Sequence, residues 1–291
     1  MKEIIRADIL GFCMGVRRAM EMAEQARIDF PTHKIFTLGP LIHNPSALDT
    51  LQKKGIFVLK ESDIPFLNSQ EPTVVIIRAH GVPPKILAQL EEKNVKIINA
   101  TCPRVQVSQK RAKDFSAKGY AVIIAGDKNH GEVTGIAGFA SRDDNSTVIL
   151  VGNSEDAEKL TNFPNRAILI SQTTISQSEY DSIAAILSKK IPDLTVFNTI
   201  CPATIERQQA LKELAAKVDG ILVIGGKESA NTHRLLMTAK TLCKKAALIE
   251  NSLEIPFEFF SLAKVGLTAG ASTPDDVIDM VEDSLTNVNN L

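Results

Sequence analysis

The chain has 291 residues, of which 44% are hydrophobic and 23% charged, and its formal net charge is −1. That length allows two or three buried cores, and the balance is that of a folded globular protein rather than a disordered one. Lysines and arginines are scattered instead of gathered into a stripe, which argues against a nucleic-acid partner and leaves a small anion as the charged ligand to consider.

The opening stretch "MKEIIRADILGFCMGV" carries charges at Lys2, Glu3, Arg6 and Asp8, which no secretion signal tolerates in its core. No run approaches the roughly 18 apolar residues needed to span a membrane. A cytoplasmic protein with no membrane partner is expected. In that compartment Cys13, Cys102, Cys201 and Cys243 read as metal ligands, catalytic groups or buried thiols rather than as a disulfide framework.

A strand in "KEIIRADILGFC" leads to Cys13, and a helix ("GVRRAMEMAEQARIDF"), a strand ("KIFTLG") and a polar turn ("PLIHN") follow. After Cys102 the same order returns as "VQVSQKRAKDFSAKGY", "AVIIAG" and "DKNHGE", and after Cys201 as "TIERQQALKELAAKVDG", "ILVIGG" and "KESAN". Each copy goes on through a helix, a short strand ("IFVL", "TVILV", "AALIE") and a longer buried strand ending in a small-polar turn. A further helix closes each copy. In the first two copies a last strand, "VKIINATC" or "LTVFNTIC", delivers the next cysteine, and the third copy takes its missing strand from the N-terminus.

Register supports the repeat. Cys13 to His43, Cys102 to His130 and Cys201 to Ser229 are 30, 28 and 28 residues, and the next polar turns, at His80, Thr173 and Ser272, lie 37, 43 and 43 further on. Alternating strands and helices with short loops predict an α/β fold of three domains with mostly parallel sheets, related by a pseudo-threefold. The domains are predicted at 14–100, 101–199 and 200–291, the last completed by residues 1–13. Ligands of parallel sheets sit beyond the carboxyl ends of the strands, where all three cysteines and all the polar turns fall, so one central site is expected.

Three thiolates suit a soft metal, either iron in an iron-sulfur cluster or zinc, and three protein ligands leave a fourth position open for chemistry. Cys243 has no counterpart in the other copies and reads as a core thiol. Glu132, in "NHGEVTG", is placed to move a proton, although a first-turn carboxylate is also favoured by the helix dipole alone. His43, His80, His130, Thr173, Ser229, Asn231 and Ser272 suit an anion such as a diphosphate, and each also reads as a cap or turn residue. His33 and His233 fall outside the repeat and read as surface or capping groups. In both "NATCPRV" and "NTICPAT" the Asn and Pro are expected to shape the turn from strand into helix.

Taken together, "GFCMGVRRA", "GPLIHN", "RAHGV", "ATCPRV", "NHGEVTG", "SQTTIS", "NTICPAT", "GGKESANTHRL" and "TAGAST" resemble the 4-hydroxy-3-methylbut-2-enyl diphosphate reductase (LytB) family from about residue 4 to about residue 280. The resemblance implies a [4Fe-4S] cluster held by Cys13, Cys102 and Cys201, with the fourth iron facing the substrate. It implies two-electron removal of the allylic hydroxyl, giving isopentenyl and dimethylallyl diphosphate, the last step of the non-mevalonate isoprenoid pathway. Carried onto matching positions, Glu132 is the proton donor, with Thr173 and His130 beside it in catalysis. His43, His80, His130, Thr173, Ser229, Asn231 and Ser272 bind the substrate. Ferredoxin or flavodoxin would donate electrons to a monomer. Ala230 stands where some members have a second Ser, which removes one hydroxyl. The competing readings are an iron-sulfur redox sensor or carrier, and a zinc hydrolase or deaminase. "HGE" fits the latter, but its companion P-C-x-x-C is absent.

Overall fold

The computed structural model describes residues 2–141 and 146–287. The ends of the predicted first and third segments, residue 1 and residues 288–291, lie outside the described residues. The first copy of the repeat runs β1 (Glu3–Arg6), α1 (Met14–Asp29), β2 (Lys34–Leu38), α2 (Pro45–Lys53), β3 (Ile56–Leu59), β4 (Thr73–Ile77), α3 (Pro84–Glu92) and β5 (Lys96–Asn99). The second runs α4 (Pro103–Ala117), β6 (Ala121–Ala125), α5 (Gly131–Ala140), β7 (Val148–Val151), α6 (Ser154–Lys159), β8 (Arg166–Ser171), α7 (Gln177–Ser188) and β9 (Asp193–Val196). The third runs α8 (Pro202–Ala215), β10 (Gly220–Ile224), α9 (Ala230–Leu242), β11 (Ala246–Ile249), β12 (Lys264–Ala269) and α10 (Asp275–Thr286).

The strands form three four-stranded sheets, β3-β2-β4-β5, β7-β6-β8-β9 and β11-β10-β12-β1, with every pairing parallel. This is the expected α/β class, with three parallel-sheet units. β4, β6 and β10 are buried along their whole length, as the unbroken apolar runs "VVII", "AVIIA" and "ILVI" require of strands covered on both faces. In each sheet the chain steps outward from β2, β6 or β10 and then returns to that strand's other side, where β5, β9 or β1 takes the outer place. The crevice between the two central strands, at their carboxyl ends, is therefore the switch point where ligands of such sheets bind.

By internal packing the chain falls into two compact units. One comprises the described residues of 1–17, 42–54 and 202–291, and the other those of 18–41 and 55–201. The first unit holds the sheet that β1 completes, pairing Glu3 with Lys264 through Arg6 with Leu267. Leu222, Ile224, Leu267 and Phe259 pack under α10 on one face of that sheet, and Leu211, Ile221, Val223 and Leu235 on the other.

The second unit holds the other two sheets. The β6-to-β9 sheet is covered by Ile123, Leu169, Tyr180, Ile183 and Leu187 on one face and by Val122, Ile124, Ile136 and Ile170 on the other. Each such side chain contributes about 1.5–3 kcal/mol on burial. The Tyr180 hydroxyl donates to the carbonyls of Leu169 (3.1 Å) and Phe197 (2.7 Å), tying β8 to the end of β9. Burial pushes its ionisation upward. The two sheets meet where α5 presents Gly138 to Pro83, so closely that a β-carbon on Gly138 would lie 2.6 Å from the proline Cβ.

Between each copy's short strand and longer strand the sequence reading left a gap, and the structure fills it with short helical segments: 3-10 helix at Glu61–Phe66, α6, and 3-10 helix at Ser252–Glu254 and Phe257–Ser261. Segments this short carry too few residues for a period to show. Among the described residues no helix is long and apolar enough to cross a membrane.

Candidate active site

Cys13, Cys102 and Cys201 each stand between an outer strand (β1, β5 or β9) and the following helix. The repeat recurs in their backbone bonds. Cys102 donates its N–H to Ala79 (2.9 Å), Cys201 to Thr173 (2.9 Å) and Cys13 to Ala271 (3.1 Å), and each acceptor lies two residues past the neighbouring strand β4, β8 or β12. All three thiols are half-buried at the amino end of a helix, where unsatisfied N–H groups favour negative charge. The repeated Asn works as a turn former. Asn99 Oδ1 accepts from Thr101 N–H (3.0 Å) and Asn198 Oδ1 from Ile200 N–H (3.1 Å), while Pro103 and Pro202 open α4 and α8. In the diverged first copy Gly11 makes the turn with φ +75°, and its carbonyl accepts from the buried Arg207 guanidinium at 2.6 Å.

Cys243 differs in kind. It caps the end of α9, its Sγ lies 3.5 Å from the Asp219 carbonyl, and it packs against the cluster around Leu211 and Val223. It is half-buried at the edge of the core rather than the core thiol expected. No disulfide involves any of the four cysteines among the described residues.

Within the second unit the predicted proton donor is held from two sides. Glu132 is only 1% exposed; its Oε1 accepts from the Thr173 N–H (2.7 Å) and its Oε2 from the Thr173 hydroxyl (2.8 Å). A first-turn carboxylate kept only for the helix dipole would face water, so that plainer reading does not account for this one. The Glu132 N–H in turn donates to His130 Nδ1 at 3.2 Å, which puts the ring proton on Nε2. The His130 ring meets that of His80 edge to face, centroids 5.0 Å apart at 86°. A hydrogen-bonded line thus runs from Cys201 through Thr173 and Glu132 to His130. The structure brings together two candidate ligand turns, a buried acid and two imidazoles.

Sequence reasoning missed the residue that holds these turns in place. Gln172 donates its N–H to the Ala125 carbonyl (2.8 Å), and its Oε1 accepts from the Asp127 N–H (2.9 Å), joining the turn after β8 to the turn after β6. Gly126 makes room for it, since a β-carbon there would stand 2.6 Å from the Gln172 Cβ. The only sequence signal was a glutamine immediately before Thr173.

In the first unit Ser229 caps α9, accepting from Thr232 N–H at 3.3 Å, as His130 caps α5. The capping reading therefore holds for both, and each helix amino end, within its own unit, favours an anion. His43 lies one residue before the cap of α2, which is Asn44, accepting from Ala47 N–H at 3.1 Å. The His43 carbonyl accepts from the Ser272 hydroxyl (3.2 Å), and Gly226 packs on the same carbonyl. Asn231 is buried, and its Nδ2 has no hydrogen-bond partner among the described residues. A buried donor so placed calls for an acceptor supplied from outside the chain. Ala230 is the first residue of α9 and brings no hydroxyl to this turn. His33 stacks edge-on against Phe30, and His233 bonds the Lys227 carbonyl from an exposed ring; neither joins the candidate site.

Each thiol is a soft donor of the kind an iron-sulfur group takes and each is delivered by the same backbone arrangement, and the buried Glu132 is bonded to Thr173, the acceptor of the Cys201 N–H. The family model described as LytB protein matches residues 4–286. A 4-hydroxy-3-methylbut-2-enyl diphosphate reductase from Treponema denticola is 48% identical over 288 residues, covering 96% of this chain and 98% of that one. A solved (E)-4-hydroxy-3-methyl-but-2-enyl diphosphate reductase, described as the terminal enzyme of the non-mevalonate pathway, aligns with 99% of this chain and 100% of its own at 35% identity and a TM-score of 0.71. The structure of the E-1-hydroxy-2-methyl-but-2-enyl-4-diphosphate reductase from Plasmodium falciparum aligns with 99% of this chain and 89% of its own, at 29% identity and a TM-score of 0.89.

Proposed function

The chain belongs to the LytB protein family, and from that premise we infer what its own residues do in the family's reaction. It is an iron-sulfur reductase of 4-hydroxy-3-methylbut-2-enyl diphosphate, acting at the last step of the non-mevalonate isoprenoid pathway. The substrate takes up two electrons and two protons, its allylic C–O bond breaks, the oxygen leaves as water, and isopentenyl or dimethylallyl diphosphate remains.

Cys13, Cys102 and Cys201 would hold a [4Fe-4S] cluster, leaving one iron without a protein ligand. When bound, that cluster supplies the two electrons and a Lewis-acidic iron for the allylic hydroxyl. His43, His80, His130, Ser229, Asn231 and Ser272 bind the diphosphate. The support is their equivalent places after the strands of their own sheets, the helix amino ends behind His130 and Ser229, and the orphaned Nδ2 of Asn231. Glu132 holds the proton that goes to the departing hydroxyl, and Thr173 orients both the acid and the substrate oxygen. The observation that carries this assignment is the pair of Thr173 bonds to the two oxygens of a buried Glu132. A carboxyl held on both oxygens and shielded from water is fixed in place to pass a proton to the reacting oxygen.

Ferredoxin or flavodoxin serves as electron donor to a monomer in the cytoplasm. Sheet membership supports the division into domains at 14–100, 101–199 and 200–291 with 1–13. A redox carrier would have no use for the buried acid, and a zinc hydrolase no use for sulfide. Anaerobic purification followed by iron and sulfide analysis and Mössbauer spectroscopy, with and without substrate, tests the assignment. Four irons with sulfide, one of them altered by substrate, is the expected result. Zinc without sulfide, or a cluster indifferent to substrate, refutes it.

A further inference from the structure

Arg78 stands two residues before His80 and has no part in the roles above. Its side chain, 17% exposed, lies in a slot walled by two glycines from distant parts of the second unit. A β-carbon on Gly39 would stand 2.6 Å from Nη1, and one on Gly131 would stand 3.0 Å from Nη2. Gly39 also has φ +68°, a conformation that glycine adopts without strain. Nε points at the Gly81 carbonyl from 3.5 Å, and Nη2 meets Glu61 Oε1 at 3.3 Å. One planar cation therefore touches three segments: the turn after β2 that leads to His43, the turn after β4 that carries His80, and the first residue of α5, which follows His130.

The electrostatics of this placement point the same way. The amino end of α5 carries positive partial charge, and the one carboxyl in its first turn, Glu132, is bonded to Thr173. The chain adds a permanent cation beside that end, whose ion-pair partner among the described residues, Glu61, is itself 41% exposed. Two positive elements side by side raise the energy of the chain by itself, and an arriving anion offsets that. A lysine would bring the charge without the planar fork that fills the space between both glycines.

We propose that Arg78 is a positioning residue for the diphosphate, holding the turns of His80 and His130 at a fixed separation while adding standing positive charge to the anion site. The proposal rests on the reading of His80 and His130 as diphosphate ligands. Cluster-loaded protein titrated anaerobically with inorganic diphosphate in a calorimeter, alongside steady-state kinetics, tests both. Arg78→Gln weakens inorganic diphosphate about tenfold and raises the substrate KM by a similar factor, with kcat changed by less than about twofold. Arg78→Lys restores the charge without the fork and binds inorganic diphosphate about two- to threefold more weakly than the parent at an unchanged Tm. Equal diphosphate affinity in the parent and Arg78→Gln overturns the proposal, as does a fall in kcat at constant KM. Should Arg78→Gln fail to fold, Arg78→Lys decides alone: a two- to threefold weakening supports the proposal, and parental affinity overturns it. A parent chain that binds no inorganic diphosphate, and whose KM is unmoved by His80→Ala, sinks the histidine assignment and the Arg78 role with it. Loss of binding in His80→Ala with parental binding in Arg78→Gln removes only the Arg78 role.

Discussion

Thr173→Val replaces a hydroxyl with a methyl of nearly the same size, so it changes the environment of Glu132 without opening a cavity. The hydroxyl bond to Oε2 is 2.8 Å long and reaches a carboxyl that is 1% exposed, so bulk water cannot take over the lost contact. A buried acceptor that loses its donor costs about 1–3 kcal/mol. If the whole of that is felt in the transition state, kcat/KM falls roughly 5- to 150-fold. The backbone bond from Thr173 N–H to Oε1, at 2.7 Å, survives the substitution, so the acid stays in place and the loss falls on orientation rather than folding. Thr173→Ser keeps the hydroxyl and stays within a few-fold of the parent. The assay is anaerobic turnover with a chemical reductant, which bypasses the protein donor, with Tm recorded beside it. Parental turnover in Thr173→Val, or equal damage in Thr173→Ser, refutes the role given to this bond.

Three more outcomes follow from packing and hydrogen bonding. Gly226→Ala drives a methyl into the His43 carbonyl, standing 3.1 Å from its carbon, and is expected to cost about 1–3 kcal/mol in urea unfolding and to raise the substrate KM; a loss below about 0.5 kcal/mol would show that the turn yields freely. Cys243→Ala leaves the iron content of purified protein unchanged while Cys102→Ser lowers it, and loss of iron on the Cys243→Ala substitution would overturn the assignment of Cys243 to the edge of the core. Burial raises the Tyr180 phenol above its ordinary range near 10, so its contribution to stability is complete below about pH 10 and is lost as the pH climbs further. Tyr180→Phe should cost about 1–2 kcal/mol at neutral pH and flatten the alkaline loss of Tm, and alkaline slopes identical in parent and variant would contradict this.

The parts of the site legible in the sequence are those the chain writes more than once. Three cysteines in register, and an Asn and Pro repeated around two of them, announce a shared local structure before any coordinate is known, and their backbone bonds agree to the residue. Glu132 was only half legible. Its place in a first helical turn can be read from "NHGEVTG", but its burial depends on Thr173, 41 residues away, and no local pattern encodes that contact. Gln172 and Arg78 were illegible for a related reason. Each works in space left by glycines that lie far off in sequence, Gly126 for one and Gly39 and Gly131 for the other. A missing side chain leaves no mark in a hydropathy pattern. Asn44 escaped notice because the neighbouring histidine drew attention, although "HNP" is an ordinary cap followed by an N1 proline.

The pairing of β1 with β12 sets an order of events at the ribosome. Glu3 emerges about 260 residues ahead of Lys264, its partner in the sheet, which at 5–20 residues per second is a wait of roughly 13–50 seconds. Late in that interval the two sheets of the second unit have all their strands, while β1 has no neighbour and Cys13 lacks the Ala271 carbonyl that fixes its backbone. Nascent chain therefore presents at most two thiols in their final setting. A group held by all three cysteines would be completed only once β12 has emerged and paired with β1.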